Sequence, residues 1–215
     1  MPRLPNAVLF AVLSLVPATL ALSAFTSAAA VEAKDGDAVV VMPHNNAGFS
    51  QDQIKSMFFD AARQGRNDLL GGLIQSGMKP DERDSHGYTA LILAAYNGQA
   101  TTVDFLIQNG ANPCATDTNG NSSLMGVSFK GETAILKRLI AARCDVNARN
   151  SAGQTALMMA ALFGRTEAVH ILLDNGANPE LQDREGNTAA ILAKKQGNPQ
   201  MVALLQQHHD NPTSH

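Results

Sequence analysis

The chain contains no tryptophan, two tyrosines and two cysteines among 215 residues. Two cysteines cannot form the multi-bridge framework of a small secreted scaffold. With only 5% aromatic residues, a single large core built on aromatic anchors is excluded. Charge is also sparse and nearly balanced: 16 Lys and Arg stand against 19 Asp and Glu, a net charge of −3. No broad basic field therefore exists to hold nucleic acid without regard to sequence. Catalytic signatures are missing too, with no Gly-x-Ser-x-Gly, no P-loop and no zinc-type cysteine spacing. What is abundant is glycine, 17 residues, within a chain that is 45% hydrophobic. That balance permits order and suits small residues with frequent turns. The length suits one domain with appendages.

The first residues read as an address. Arg3 is the only charge before Glu32, and Ala7–Leu22 is apolar apart from Ser14 and Thr19. Small residues follow, ending in Ala28, Ala29 and Ala30. This order describes a secretory signal peptide over 1–30, cleaved after Ala28 or Ala30. The apolar run is shorter than a spanning helix needs, and Pro17 interrupts it, so no membrane span is expected after cleavage. Residues 31–50 read as a flexible linker, with a short strand at Val39–Met42.

From residue 51 the sequence repeats with a step of 33. Gly87, Gly120, Gly153 and Gly186 keep it, as do Asp84, Asp117, Asn150 and Asp183. Leu73, Leu106, Leu139, Leu172 and Leu205 form a third series. The units are 51–83, 84–116, 117–149, 150–182 and 183–209, with a disordered tail over 210–215. Each unit reads as a turn, a short Ala-rich helix, a glycine stop and a second helix. Ala-Ala pairs at 61–62, 94–95 and 160–161 imply that neighbouring helices approach closely; Val127-Ser128 is the looser equivalent. The first and last units deviate as terminal caps of a stack should.

The unit sequences DSHGYTALILAAYNG, DTNGNSSLMGVSFKG, NSAGQTALMMAALFG and DREGNTAAILAKKQG, with second helices such as ILLDNGANP, resemble the ankyrin repeat. The resemblance covers 51–209 and implies an all-α repeat solenoid of about five helix-turn-helix repeats with hairpin-like tips. Two positions depart from the family box: its proline is Ala90, Ser123, Ala156 and Ala189, and its histidine is Ile92, Met125, Met158 and Ile191. Both changes put stability in question more than fold.

The resemblance also implies where a protein partner would bind, namely the turn tips and the concave face of the first helices. By motif these positions hold Tyr88, Asn121, Gln154 and Asn187 at the tips. They hold Tyr96, Asn97, Phe129, Lys130, Leu162, Phe163 and Lys195 on the helices. Both tyrosines fall here, and Tyr96, Phe129, Leu162 and Phe163 make an apolar stripe over three repeats. Such a stripe either marks an interaction site or tucks between neighbouring helices. Cys114 and Cys144 follow successive second helices and could pair in an oxidising compartment. The simpler expectation is two separate thiols, with Cys144 in the small slot held elsewhere by Ala111 and Ala177. His208, His209 and His215 read as a polar tail, not a metal site.

The expected function is non-enzymatic: a monomeric protein-binding module, exported to the periplasm, without cofactor or metal. It would serve as an adaptor or stabiliser of an enzyme, a class the resemblance links to oxidative-stress enzymes. Alternatives are an inhibitor or immunity protein for a toxin, or a secreted effector. Secretion and N-terminal membrane anchoring are the other possible destinations.

Overall fold

The computed structural model describes Ala30–Lys34, Asp37–Val41 and residues 49–210. The expected signal peptide, apart from Ala30, lies outside the described residues, as do residues 211–215. The chain divides into two units, Met1–Gly48 and Phe49–His215. In the first, strand β1 (Ala30–Lys34) pairs antiparallel with β2 (Asp37–Val41), Ala30 facing Val41 and Lys34 facing Asp37. The valine run thus does form a strand, as β-branched residues favour. It has a partner strand that the sequence pattern did not reveal.

Among the described residues, the second unit holds ten helices in five pairs. They are α1 (Gln51–Gln64) with α2 (Asn67–Gln75), α3 (Ala90–Tyr96) with α4 (Ala100–Gln108), and α5 (Ser123–Lys130) with α6 (Thr133–Ala141). The last two pairs are α7 (Ala156–Leu162) with α8 (Thr166–Asp174), and α9 (Ala189–Lys195) with α10 (Pro199–Asp210). The odd-numbered helices stack on one another in order, and each carries its even-numbered partner outside. This is an all-α repeat solenoid.

The step of 33 has a local cause at each turn. Asp84 Oδ1 accepts the backbone N–H groups of His86 and Tyr88. Asp117 does the same for Asn119 and Asn121, Asn150 for Ala152 and Gln154, and Asp183 for Glu185 and Asn187. A short side-chain oxygen closing its own turn is what Asp and Asn do best. The turns are then tied along the stack. Thr118 N–H donates to His86 O at 3.2 Å, Ser151 N–H to Asn119 O at 2.8 Å, and Arg184 N–H to Ala152 O at 2.9 Å. This close approach requires glycine: a Cβ on Gly87, whose φ is +80°, would stand 2.8 Å from Thr118 N.

Each inner helix after the turn starts on a hydroxyl cap. Thr89, Ser122, Thr155 and Thr188 accept from the N–H three residues on, each cap contributing about 1 kcal/mol. The core lies between inner helices. Ala94, Ala95, Ala160 and Ala161 are fully buried, as are Val127 and Ser128. The departures at the family's histidine position become stacking contacts, with Ile92, Met125 and Met158 buried. Ile191, in the last repeat with no follower, is 40% exposed.

Repeat 3 breaks this regularity three times. Gly126 occupies the position of Leu93, Met159 and Leu192, and a helix-interior glycine costs about 1 kcal/mol. Ser123 stands where the other repeats have alanine, and its Oγ is buried without a hydrogen-bond partner, a cost of about 1–3 kcal/mol. Arg143 has φ +62° where Gly77, Gly110 and Gly176 have +101°, +87° and +84°. The left-handed region costs a non-glycine residue about 1–2 kcal/mol.

In the same repeat the cysteines differ from expectation. Cys144 does fill the alanine slot, 7% exposed against 4% for Ala111 and 6% for Ala177, but it is not a separate thiol. It is bonded to Cys114 of repeat 2, with Cα atoms 5.2 Å apart. A separation of 30 residues, close to the repeat step of 33, sets the two loops on adjacent layers. Closing a loop of that length restricts the unfolded chain by about 3–4 kcal/mol, the same order as the three local costs together. Replacing both cysteines by serine is expected to lower unfolding stability by about 2–4 kcal/mol, measured by urea denaturation. Dithiothreitol should reproduce the loss in the wild type and leave the variant unchanged.

Candidate protein-binding face

The two residues after each inner Ala-Ala pair project from the end of the inner helix. In repeats 2, 3 and 4 they bring Tyr96, Phe129 and Phe163 into a ladder. Tyr96 and Phe129 lie nearly parallel, centroids 6.2 Å apart, and Phe129 meets Phe163 edge-to-face at 4.3 Å. Both arrangements suit the ring quadrupoles. Lys130 places its ammonium 5.1 Å from the centre of the Tyr96 ring, a cation–π contact. The rings and Leu162 are half-buried, so each packs on its neighbours and still reaches the surface. The reading in which these side chains tuck between neighbouring helices holds in part.

The backbone beneath the ladder is tied across repeats. Gln99 donates from its amide to Arg63 O at 3.0 Å, and Arg165 Nε donates to Phe129 O at 2.9 Å. Gly126 lies against the Tyr96 ring, and a Cβ there would stand 3.5 Å from it, an ordinary contact distance. Burial raises the Tyr96 hydroxyl above the ordinary tyrosine range. Tyr88 is raised as well, first by burial and then by Asp117 and Asp84. Its ring stacks on His86, centroids 5.8 Å apart.

The tip residues divide differently from the motif-based expectation. Gln154 and Asn187 are buried, at 6% and 5% exposure, and this removes them from a contact face. Gln154 Oε1 accepts from Asn150 Nδ2, and Asn187 Nδ2 donates to both carboxylate oxygens of Asp183. Asn121 is half-buried and similarly spent, donating to Asp117 Oδ2 and accepting from Asn150 Nδ2. In these three turns the residue after the glycine folds back on the Asx side chain that organises it: Asn121 and Asn187 on its carboxylate, Gln154 on the Asn150 amide. Asn97 is exposed but donates to Leu93 O at 2.8 Å. Lys195 is exposed, with its ammonium 2.7 Å from Asn187 Oδ1.

Two arginines escaped the sequence reading. Arg83 donates to Gly87 O within its own turn and to Thr116 O of the next repeat. Arg149 does the same for Gly153 O and Gln182 O. They stand two periods apart, a signal that a repeat alignment could have found. Arg63 pairs with Asp60 at 2.8 Å, and its buried Nε has no partner.

The model of the family described as ankyrin repeats matches three times, over residues 28–117, 58–150 and 124–214. The chain belongs to the ankyrin-repeat family. A protein of Pseudomonas aeruginosa, itself named as an ankyrin repeat protein, is 47% identical over 45 residues. That stretch is 21% of this chain and 26% of the relative, so the chain matches about a quarter of the relative's length. Ankyrin repeats mediate protein–protein interaction and are typically non-enzymatic. Among the described residues no group of three or more His, Cys, Asp or Glu is placed to hold a metal ion. No described helix is long and apolar enough to cross a membrane.

A raised folded-state value for a tyrosine means that its contribution to stability is complete below the unfolded value of about 10. It is lost as pH rises through the folded value. The stack is therefore expected to lose stability above about pH 10, as followed by circular dichroism. Tyr96→Phe together with Tyr88→Phe should flatten that alkaline decline.

Proposed function

We infer that the stack captures a single protein partner on the ladder of Tyr96, Phe129 and Phe163, flanked by Leu162, Asn97 and Lys130. The three-ring ladder carries this reading. Aromatic side chains are scarce in this chain, yet three of them converge on one face of three successive repeats, and aromatic residues dominate binding hot spots. Half-buried rings are held in place before binding, so little side-chain entropy is lost when a partner covers them.

The compartment we infer is an exported, oxidising one, the periplasm. The Ala-rich leader motif and the joined cysteines favour it, since structural disulfides persist where thiols are oxidised. There the protein acts as an adaptor or stabiliser of an enzyme, oxidative-stress enzymes being the client class suggested by the family resemblance. Inhibition of a toxin would use the same face, and the sign of the effect on the partner separates the two.

Tyr96→Ala combined with Phe129→Ala is expected to keep the helical spectrum and to weaken partner capture at least about 30-fold, as loss of a hot spot of about 2 kcal/mol does. The measurement is affinity capture from periplasmic extract, followed by assay of the captured enzyme with and without the protein. Unchanged capture by the double variant would sink the reading. A fall in the partner's activity would assign inhibition.

A further inference from the structure

Repeat 3 concentrates local costs and is also the repeat tied covalently to its neighbour. Gly126 lies inside its inner helix, the Ser123 hydroxyl is buried without a partner, and Arg143 occupies a glycine conformation. Arg143 immediately precedes Cys144, so the strained residue and the bond to Cys114 share one loop. On the inner-helix side of the same junction, Tyr96 of repeat 2 stacks on Phe129 of repeat 3, and Lys130 covers Tyr96. One more side-chain link crosses the junction between outer helices: Arg138 Nε bonds both oxygens of Asp104 at 3.0 Å. Both of its partners are well exposed, and exposed pairs hold weakly. Besides buried apolar contacts and the Thr118 hydrogen bonds to His86 O at the tips, the junction is held at its outer edge by a bond that thiols can break, and at its inner edge by the ladder.

We propose that the Cys114–Cys144 disulfide is a redox gate on this junction. Oxidised, it keeps repeats 2 and 3, and the ladder that crosses them, as one continuous surface. Reduced, this junction opens more readily than any other in the stack, and Tyr96 separates from Phe129. Its consequence for partner capture rests on reading the ladder as the capture surface; the opening itself does not.

The chemistry is ordinary thiol–disulfide exchange with a dithiol reductant. A reductant thiolate attacks Sγ of Cys114, the less buried of the two residues, and expels Cys144 as a thiolate that takes up a proton. The second reductant thiol, as its thiolate, then attacks its own sulfur in the mixed disulfide and releases Cys114, which is protonated in turn. Two protein thiols form, and the dithiol leaves as its disulfide. Cys144 then rests in its slot as a small apolar residue, so the gate can close again on oxidation without trapping a charge.

The test is hydrogen exchange by mass spectrometry on the folded full chain, with and without dithiothreitol, in native buffer. Reduction should accelerate exchange at least about tenfold in α5, α6 and the following loop to Asn147, against less than about threefold in α1 and α9. The C114S/C144S variant should show the fast pattern without reductant. Ser123→Ala with Arg143→Gly should restore slow exchange to the reduced protein, since it removes the local costs that the bond offsets. In parallel, the proton Overhauser contact between the Tyr96 and Phe129 rings should disappear on reduction. Equal acceleration in all five repeats, no acceleration, no rescue, or a persisting ring contact would each overturn the gate. None of these measurements involves a partner, so their failure leaves the capture reading standing, and failure of capture leaves the gate standing.

Discussion

The close approach of successive inner helices is the constraint on which the rest of the structure depends. A seven-residue helix such as α3 or α7 cannot bury an apolar face by itself, and isolated helices of that length are unstable in water. Each is stable only because a neighbour covers it, and coverage at this distance demands alanine-sized residues. Ala94, Ala95, Ala160 and Ala161 are fully buried for that reason. The same geometry makes the array one-dimensional, since each layer touches only the next. Turn chemistry follows from it: the tips come close enough for backbone hydrogen bonds between layers, and only glycine fits at that approach.

A one-dimensional array is as continuous as its weakest junction, and here weakness and reinforcement coincide in repeat 3. The glycine within α5 lies against the Tyr96 ring, where a methyl group would also sit at ordinary contact distance. Its cost to the helix falls beside the ladder, and the bond between Cys114 and Cys144 offsets that cost from the other edge. Local rules are broken where a surface is assembled, which is where departures from consistency are expected to gather. The buried Ser123 hydroxyl has no such role, and nothing in the structure explains it.

How far the functional face was legible in the sequence depended on what each position does. Tyr96 and Phe129 could be found by period, being aromatics at equivalent positions of adjacent repeats, and Phe163 stands one residue past the equivalent Leu162. Gln154 and Asn187 were expected as contact residues and are buried, and Asn121 is half-buried and bonded within its turn. Their period is equally clear, but a motif position does not say whether an amide turns outward or folds back on the turn. That choice is made by the Asx side chain beside it, carboxylate or amide, which captures the side chain. Arg83 and Arg149 were passed over because they skip every other repeat.

What the sequence determined by itself was the repeat: its step, its caps, its turns and the family to which the chain belongs. Periodicity suffices for these because each rests on contacts within one unit or with the next. The tertiary structure alone decided the ring-to-ring geometry of the ladder, the inward turn of the tip amides and the pairing of Cys114 with Cys144. These depend on distances between side chains of different layers. The rise and rotation from one repeat to the next set such distances, and a linear spacing of 33 residues does not encode them.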